Sequence, residues 1–157
     1  MDCIFCKIIS GEIPSVKIWQ DNRHIAILDI NPNVKGMTLV IPRFHFSSHI
    51  FDMDDVAYTA LLNASRSVVF LLQKGLHVDR VGIGMDGTGV NHAHIKLFPL
   101  HREMGVELHE SEDRVYFERF PGYITTQLGP MKTVTELEEV ANEIAKNNNT
   151  ETIIDNQ

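Results

Sequence analysis

Apolar and polar residues alternate in short runs from Lys17 to Leu100, and turn-forming residues interrupt the alternation. Lys17-Ile18-Trp19-Gln20 and the segment from His24 to Ile30 read as two strands separated by a turn at Asp21-Asn22. Asn31-Pro32-Asn33 breaks the pattern, which resumes as a strand from Gly36 to Arg43. Between Asp52 and Gly75 the period changes. Val56, Leu61, Leu62, Val68, Val69 and Leu72 recur at helical spacing, acidic residues open the stretch, and Gly75 offers a C-terminal stop. Two further strands are expected over Asp79 to Met85 and Asn91 to Leu100. Residues 3–9 form a short apolar piece closed by Ser10-Gly11 and a turn around Pro14. Near the other end, Thr133-Val134-Thr135-Glu136 has the form of a capping box, with Leu137, Val140 and Ile144 on one face of the helix it would start. The expected architecture is α+β: an antiparallel sheet, one long helix and a shorter C-terminal helix. Residues 1–146 are expected to form a single domain, and the polar stretch 147–157 a flexible tail.

At 157 residues and 43% hydrophobic, the chain suffices for one domain with a proper core. Its net charge of −7 argues against nucleic acid as a partner, which calls for a basic surface. No apolar run is long enough for a membrane span, and the acidic start Met1-Asp2-Cys3 lacks the features of a signal peptide. These features lead to the expectation of a soluble, cytoplasmic protein with neither membrane nor nucleic-acid partners.

The chemistry concentrates in His92-Ala93-His94-Ile95-Lys96. On a strand, Ala93, Ile95 and Leu97 would face a core while His92, His94 and Lys96 line the other face, about 6–7 Å apart. A solvated polar strand face is the plain alternative. The glycine-rich approach, with Gly82, Gly84, Gly87 and Gly89, favours a site, because glycine lets backbone come close to a ligand. The loop Asp86-Gly87-Thr88-Gly89 suits an anion.

Cys3 and Cys6 are the only cysteines and stand in Cys-x-x-Cys spacing. A redox motif of this kind follows a strand, and none can precede residue 3. Zinc is the better expectation. Two thiolates leave it short of four ligands, and the eight histidines can supply the remainder.

Taken together, Cys-Ile-Phe-Cys-Lys-Ile-Ile-x-Gly-Glu-Ile-Pro-Ser, Leu28-Asp29-Ile30, Gly36-Met37-Thr38-Leu39-Val40-Ile41-Pro42 and the histidine segment resemble the histidine-triad (HIT) nucleotide hydrolases and transferases. The resemblance runs from about Cys3 to about Leu100. It implies a HIT-like α+β fold, a homodimer, and attack on a nucleotide α-phosphate by the middle histidine of the triad. His92 matches the first histidine and His94 the nucleophile. Lys96 stands where the third histidine belongs. The resemblance further implies one structural zinc ion held by Cys3, Cys6, His45 and His92, with His49 a nearby competitor for His45. It puts Asp29 on the ribose hydroxyls, Ile4, Phe5, Ile8, Ile27 and Leu39 around the base, and Gly89 and Val90 beside the phosphates. Lysine keeps a positive charge for phosphate but is a poor base and a reluctant acid near neutrality. A dinucleoside polyphosphate is therefore favoured over a phosphoramidate, whose amine must be protonated as it leaves. The alternative is a non-catalytic nucleotide-binding or interaction protein that retains the pocket.

Overall fold

Segments with an apolar residue at nearly every position must be covered on both faces, and two strands of this chain have that character. In the computed structural model, which describes residues 3–102, 112–125, 129–137 and 140, they are β2 (His24–Leu28) and β3 (Thr38–Pro42). With β1 (Lys17–Gln20), β4 (Val81–Gly84) and β5 (Ile95–Pro99) they form a five-stranded sheet in the order β1-β2-β3-β5-β4, antiparallel throughout. The central register pairs His24 with Pro42, Thr38 with Leu97, and Gly84 with Lys96.

Alternation along the strands divides the core in two. Ala26, Val40, Ile95 and Leu97 face α2 (Asp55–Leu76) and pack on its Leu61, Ala64, Val68 and Leu72. Ile25, Ile27, Leu39 and Ile41 face the other way and pack on Phe5 and Ile8 of α1 (Ile4–Ser10). The seven residues of α1 are too few to show a helical period, so the sequence identifies only an apolar piece. α1 ends at Gly11, which takes the left-handed conformation with φ 86°.

The long helix begins later than its acidic run suggests. Ile50–Asp52 forms a separate 3₁₀ turn, and Asp54 caps α2 by accepting the Ala57 N–H at 2.9 Å. The helix also runs past Gly75. His77 takes the left-handed cap, and the Gln73 carbonyl accepts the N–H groups of both His77 and Val78. Val78 is buried, and that anchor sets the stop rather than the glycine.

The last strand is shorter than its alternation. The ladder begins at Ile95, although Ala93 is as buried as Ile95 and Leu97. The Ala93 N–H bonds instead to the Phe46 carbonyl at 3.0 Å, in the loop after β3. His92 and His94 thus lie on a segment entering the sheet, and both are buried rather than on an open strand face.

The chain divides into two compact units, Met1–Leu108 and His109–Gln157. In the second, the capping box forms: the Thr133 N–H reaches Glu136 Oε2 at 2.8 Å, the Glu136 N–H returns to Thr133 Oγ1 at 3.3 Å, and residues 134–137 are helical. Leu137 and Val140 are exposed within it, while Ile144 and the predicted tail 147–157 lie outside the described residues. Among the described residues no helix is long and apolar enough to cross a membrane.

Two left-handed glycines separate backbone strain from crowding. Gly11 has open space where a Cβ would stand, whereas at Gly36 (φ 81°) a Cβ would overlap Leu76 Cδ1 and touch Pro99. Gly11→Ala should destabilise the first unit by about 1 kcal/mol from φ alone, and Gly36→Ala by about 2–4 kcal/mol as overpacking is added. Denaturant titration of both variants checks this. Equal losses would show that β3 and α2 yield freely at that point.

Candidate functional site

α1 and the strand-entry segment bring four sulfur and nitrogen ligands together. The side chains of Cys3, Cys6, His45 and His92 offer atoms that all lie within 4.8 Å of one another. Cys3 Sγ is 3.4 Å from His92 Nδ1, Cys6 Sγ is 3.6 Å from the same nitrogen, and Cys6 Sγ is 3.4 Å from His45 Nδ1. A tetrahedral zinc ion with bonds of about 2.3 Å to sulfur and about 2.0–2.1 Å to nitrogen separates such pairs by about 3.5–3.6 Å. The donor set and its spacing fit one zinc ion.

The hydrogen bonds around His92 support the same reading. Its Nε2 lies 2.9 Å from the Pro42 carbonyl, which can only accept, so Nε2 carries the hydrogen and Nδ1 turns a lone pair towards the thiols. Burial pushes the His92 pKa down, which keeps the ring neutral. Burial and the neighbouring Cys3 push the Cys6 thiol up, a penalty that a bound cation reverses. His49 lies outside the cluster. Its side chain is exposed and pairs with Asp52 at 3.1 Å.

His94 lies beside the cluster and is almost fully buried. Its Nδ1 is 2.8 Å from the His92 carbonyl and must donate to it, leaving the lone pair on Nε2. No fully buried side-chain nitrogen or oxygen among the described residues lacks a partner, so Nε2, which has none, is reached by solvent. Phe5 stands edge-on to the ring with centroids 5.3 Å apart. Burial lowers the His94 pKa, so its imidazole is neutral near pH 7.

Lys96 is on β5, on the sheet face opposite Ile95 and Leu97. Its Nζ lies 2.9 Å from Asp86 Oδ2, and both side chains are mostly buried. The loop Asp86-Gly87-Thr88-Gly89 is therefore not simply an anion cradle, since its one carboxylate neutralises the lysine. Although burial opposes ionisation of Asp86, hydrogen bonds from Lys96 and Thr88 hold its carboxyl below the usual range. Sequence reading grouped Asp86 with the glycines and missed this partnership, because nothing local ties a loop acid to a strand ten residues on. Gly87 (φ 66°) fixes the loop: a Cβ there would stand 2.9 Å from the Ser48 carbonyl, while Asn91 Oδ1 accepts the Ser48 N–H at 3.1 Å.

Phe5, Ile8, Ile27 and Leu39 belong to the α1 side of the core, with Val90 packed against them and Ile4 45% exposed. Asp29 is half-buried and accepts the Asn31 N–H at 2.8 Å, which leaves its other carboxylate oxygen uncommitted. Gly89 (φ 86°) is exposed and has open space around its Cα.

Comparison with known proteins gives concordant matches. The HIT domain family model matches residues 10–103. A HIT-like protein of Methanocaldococcus jannaschii is 37% identical over 101 residues, covering 62% of this chain and 78% of its own. The adenosine 5'-monophosphoramidase of Saccharomyces cerevisiae is 33% identical, covering 62% of this chain and 61% of its own. The crystal structure of a zinc-bound histidine triad family protein from Mycobacterium smegmatis superposes with a TM-score of 0.58 at 28% identity, covering 72% of this chain and 85% of its own.

The Lys96–Asp86 pair generates a pH-dependent prediction. A carboxyl whose folded pKa is depressed contributes stability above its unfolded value of about 3.9, and loses it as pH falls through the folded value. At pH 7 Asp86→Asn, which leaves Lys96 without its anion, should lower unfolding stability by about 1–3 kcal/mol. The gap to native protein should narrow as pH falls below the unfolded value of about 3.9 towards the lower folded one. Urea unfolding of both proteins at pH 7 and pH 3 measures it, and a gap that is unchanged with pH would remove the ion pair from the account.

Proposed function

This chain belongs to the HIT, or histidine-triad, family, and from that premise we propose that it hydrolyses a nucleotide conjugate at the α-phosphate with His94 as nucleophile. The observation that carries the reading is the tautomer of His94. Nδ1–H is spent on the His92 carbonyl, burial keeps the ring neutral, and the lone pair on Nε2 is the edge that solvent reaches. A buried imidazole so arranged is competent for in-line attack.

In the first step the Nε2 lone pair forms a bond to the α-phosphorus. The bond from phosphorus to the leaving group breaks, and its electron pair departs with that group. Water then attacks the same phosphorus and gives up a proton to solvent, the nitrogen–phosphorus bond breaks, and Nε2 regains its lone pair as the nucleotide leaves. Lys96 is paired with Asp86 at 2.9 Å, so it is suited to donate a hydrogen bond to a phosphate oxygen with its charge already largely balanced. It is less suited to delivering a proton. This favours a leaving group that departs as an anion, of the dinucleoside polyphosphate kind. The name of the yeast relative favours an amine leaving group instead, so both classes belong in the test. The base is assigned to the wall of Ile4, Phe5, Ile8, Ile27 and Leu39, the ribose to Asp29, and the phosphates to the backbone near Gly89 and Val90.

The zinc ion is assigned a structural role. Bound by Cys3, Cys6, His45 and His92, it would have four protein ligands and no open position for water. Its contribution is to tie α1 to the segment that carries His94.

Hydrolysis should be measured on diadenosine tetraphosphate and on adenosine 5'-phosphoramidate, with native protein and His94→Ala. Turnover should favour the polyphosphate and fall at least about 10³-fold in the variant, while nucleotide affinity stays within about tenfold. If native protein turns over neither compound but still binds nucleotide, the chain is a binding protein. If His94→Ala retains turnover, the nucleophile lies elsewhere.

Elemental analysis should give one zinc per chain, and Cys6→Ser should lose it with a lower unfolding midpoint. Metal-free protein with both thiols freely titratable would remove the metal from the structure.

A further inference from the structure

The turn before β2, the loop after β3 and the first two turns of α2 line an open cavity of about 460 Å³. That size falls within the range of about 300–1,000 Å³ typical of small-molecule sites. None of the residues assigned to nucleotide or metal lines it. We propose that it is a second ligand site, for a small aromatic acid that also carries an O–H or N–H donor.

The first observation is His24. It is 4% exposed, yet it lines the cavity. Its Nδ1 lies 3.2 Å from both oxygens of Asp21, so Nδ1–H donates to the carboxylate. Asp21 is held in turn by the Arg23 N–H at 2.7 Å, and the hydrogen bonds from Arg23 and His24 keep its carboxyl below the usual range against the pull of burial. A ring fixed in this way presents the Nε2 lone pair, which has no protein partner among the described residues and is reached by solvent. An acceptor that solvent reaches, on a residue lining the cavity, calls for a donor on whatever fills it.

The rest of the lining specifies the remainder of the ligand. Phe44 and Phe46 stand together with centroids 5.0 Å apart and, with Pro42, Val56 and Ala60, make one wall apolar and largely aromatic. Phe44 is 71% exposed, a large aromatic surface left open to water. Arg23 and Arg43 are the cations at the cavity, and Asp54 is the lone lining carboxylate, committed to the cap of α2. The Asp21 carboxylate is taken up by His24 and the Arg23 N–H, which leaves the Arg23 and Arg43 guanidinium groups as the charged donors for a ligand. Arg43 is anchored, with Nε on the Asp21 carbonyl at 3.0 Å and Nη2 on Gln20 at 2.8 Å, and its other donors remain for a ligand. A flat ring against the phenylalanines, an acid group at the arginines and a donor on His24 satisfy all three features.

The test is calorimetric titration of the full-length protein with 4-hydroxybenzoate, benzoate and 4-hydroxybenzyl alcohol. Histidine ¹⁵N resonances are followed in parallel. The expected result is saturable binding of 4-hydroxybenzoate with Kd near millimolar or tighter, with each single-feature analogue at least about fivefold weaker. The His24 Nε2 resonance should move, Arg23→Ala should weaken binding about tenfold, and His94→Ala should leave it unchanged. Absence of saturation, equal binding of the three compounds, or an unmoved His24 resonance would overturn the proposal. Full affinity in Arg23→Ala, or its loss in His94→Ala, would do the same. Arg23 is exposed and the histidine readout uses native protein, so a folding defect cannot imitate those results, and binding by the buried His94→Ala variant is read on protein whose unfolding transition shows it folded.

Discussion

The complete burial of His92 is the constraint on which the candidate site depends. A fully buried side chain with two ring nitrogens is tolerated only if both have partners. One donates to the Pro42 carbonyl at the end of β3, and the other meets the thiols of Cys3 and Cys6. Its backbone is engaged as well, for its N–H reaches the Val90 carbonyl at 2.8 Å and its own carbonyl takes the hydrogen of His94 Nδ1. One residue thereby sets the tautomer of its neighbour, turns a ring nitrogen towards the two thiols and fastens the loop end to the sheet. None of these features can move alone.

The two-sided core makes the arrangement rigid. β2 and β3 have no polar face to spare, so their ends and the loops beyond them are the places where chemistry can be mounted. His45, in the loop after β3, and the His24 cavity use those ends. Asp86 and Lys96 meet next to the β4–β5 pairing, where Gly84 faces Lys96 across the ladder and the loop has just left the strand. Opposite charges are brought together there, and a mostly buried lysine is tolerable because its anion comes with it.

What was legible in the sequence follows from what is local. Period-2 alternation identified Ala93, Ile95 and Leu97 as inward-facing, and all three are buried. The same alternation overstated the strand, since the partner of the Ala93 N–H is the Phe46 carbonyl, in a loop that no spacing rule reaches. The cysteine pair was legible as a candidate for zinc, whereas its meeting with His45 rather than His49 depended on where the chain turns after Pro42. The capping box was readable because it lies within four consecutive residues. The Asp86–Lys96 pair and the fixing of His24 by Asp21 left no sequence signal, because a carboxylate in a turn has many reasons to be there.

The strand order also governs the order in which the molecule can assemble. β1, β2 and β3 follow one another through short turns and can pair while the rest of the chain is still disordered. β5 must then return past the whole of α2 to lie against β3, with Thr38 meeting Leu97. Closing so long a loop is entropically unfavourable until the hydrophobic contacts under α2 offset it. His92 and His94 immediately precede β5 and reach their places only when that strand docks. His92 and His94 are therefore the last part of this unit to be placed, and a chain interrupted before Asn91 has Cys3, Cys6 and His45 without the fourth member of their cluster.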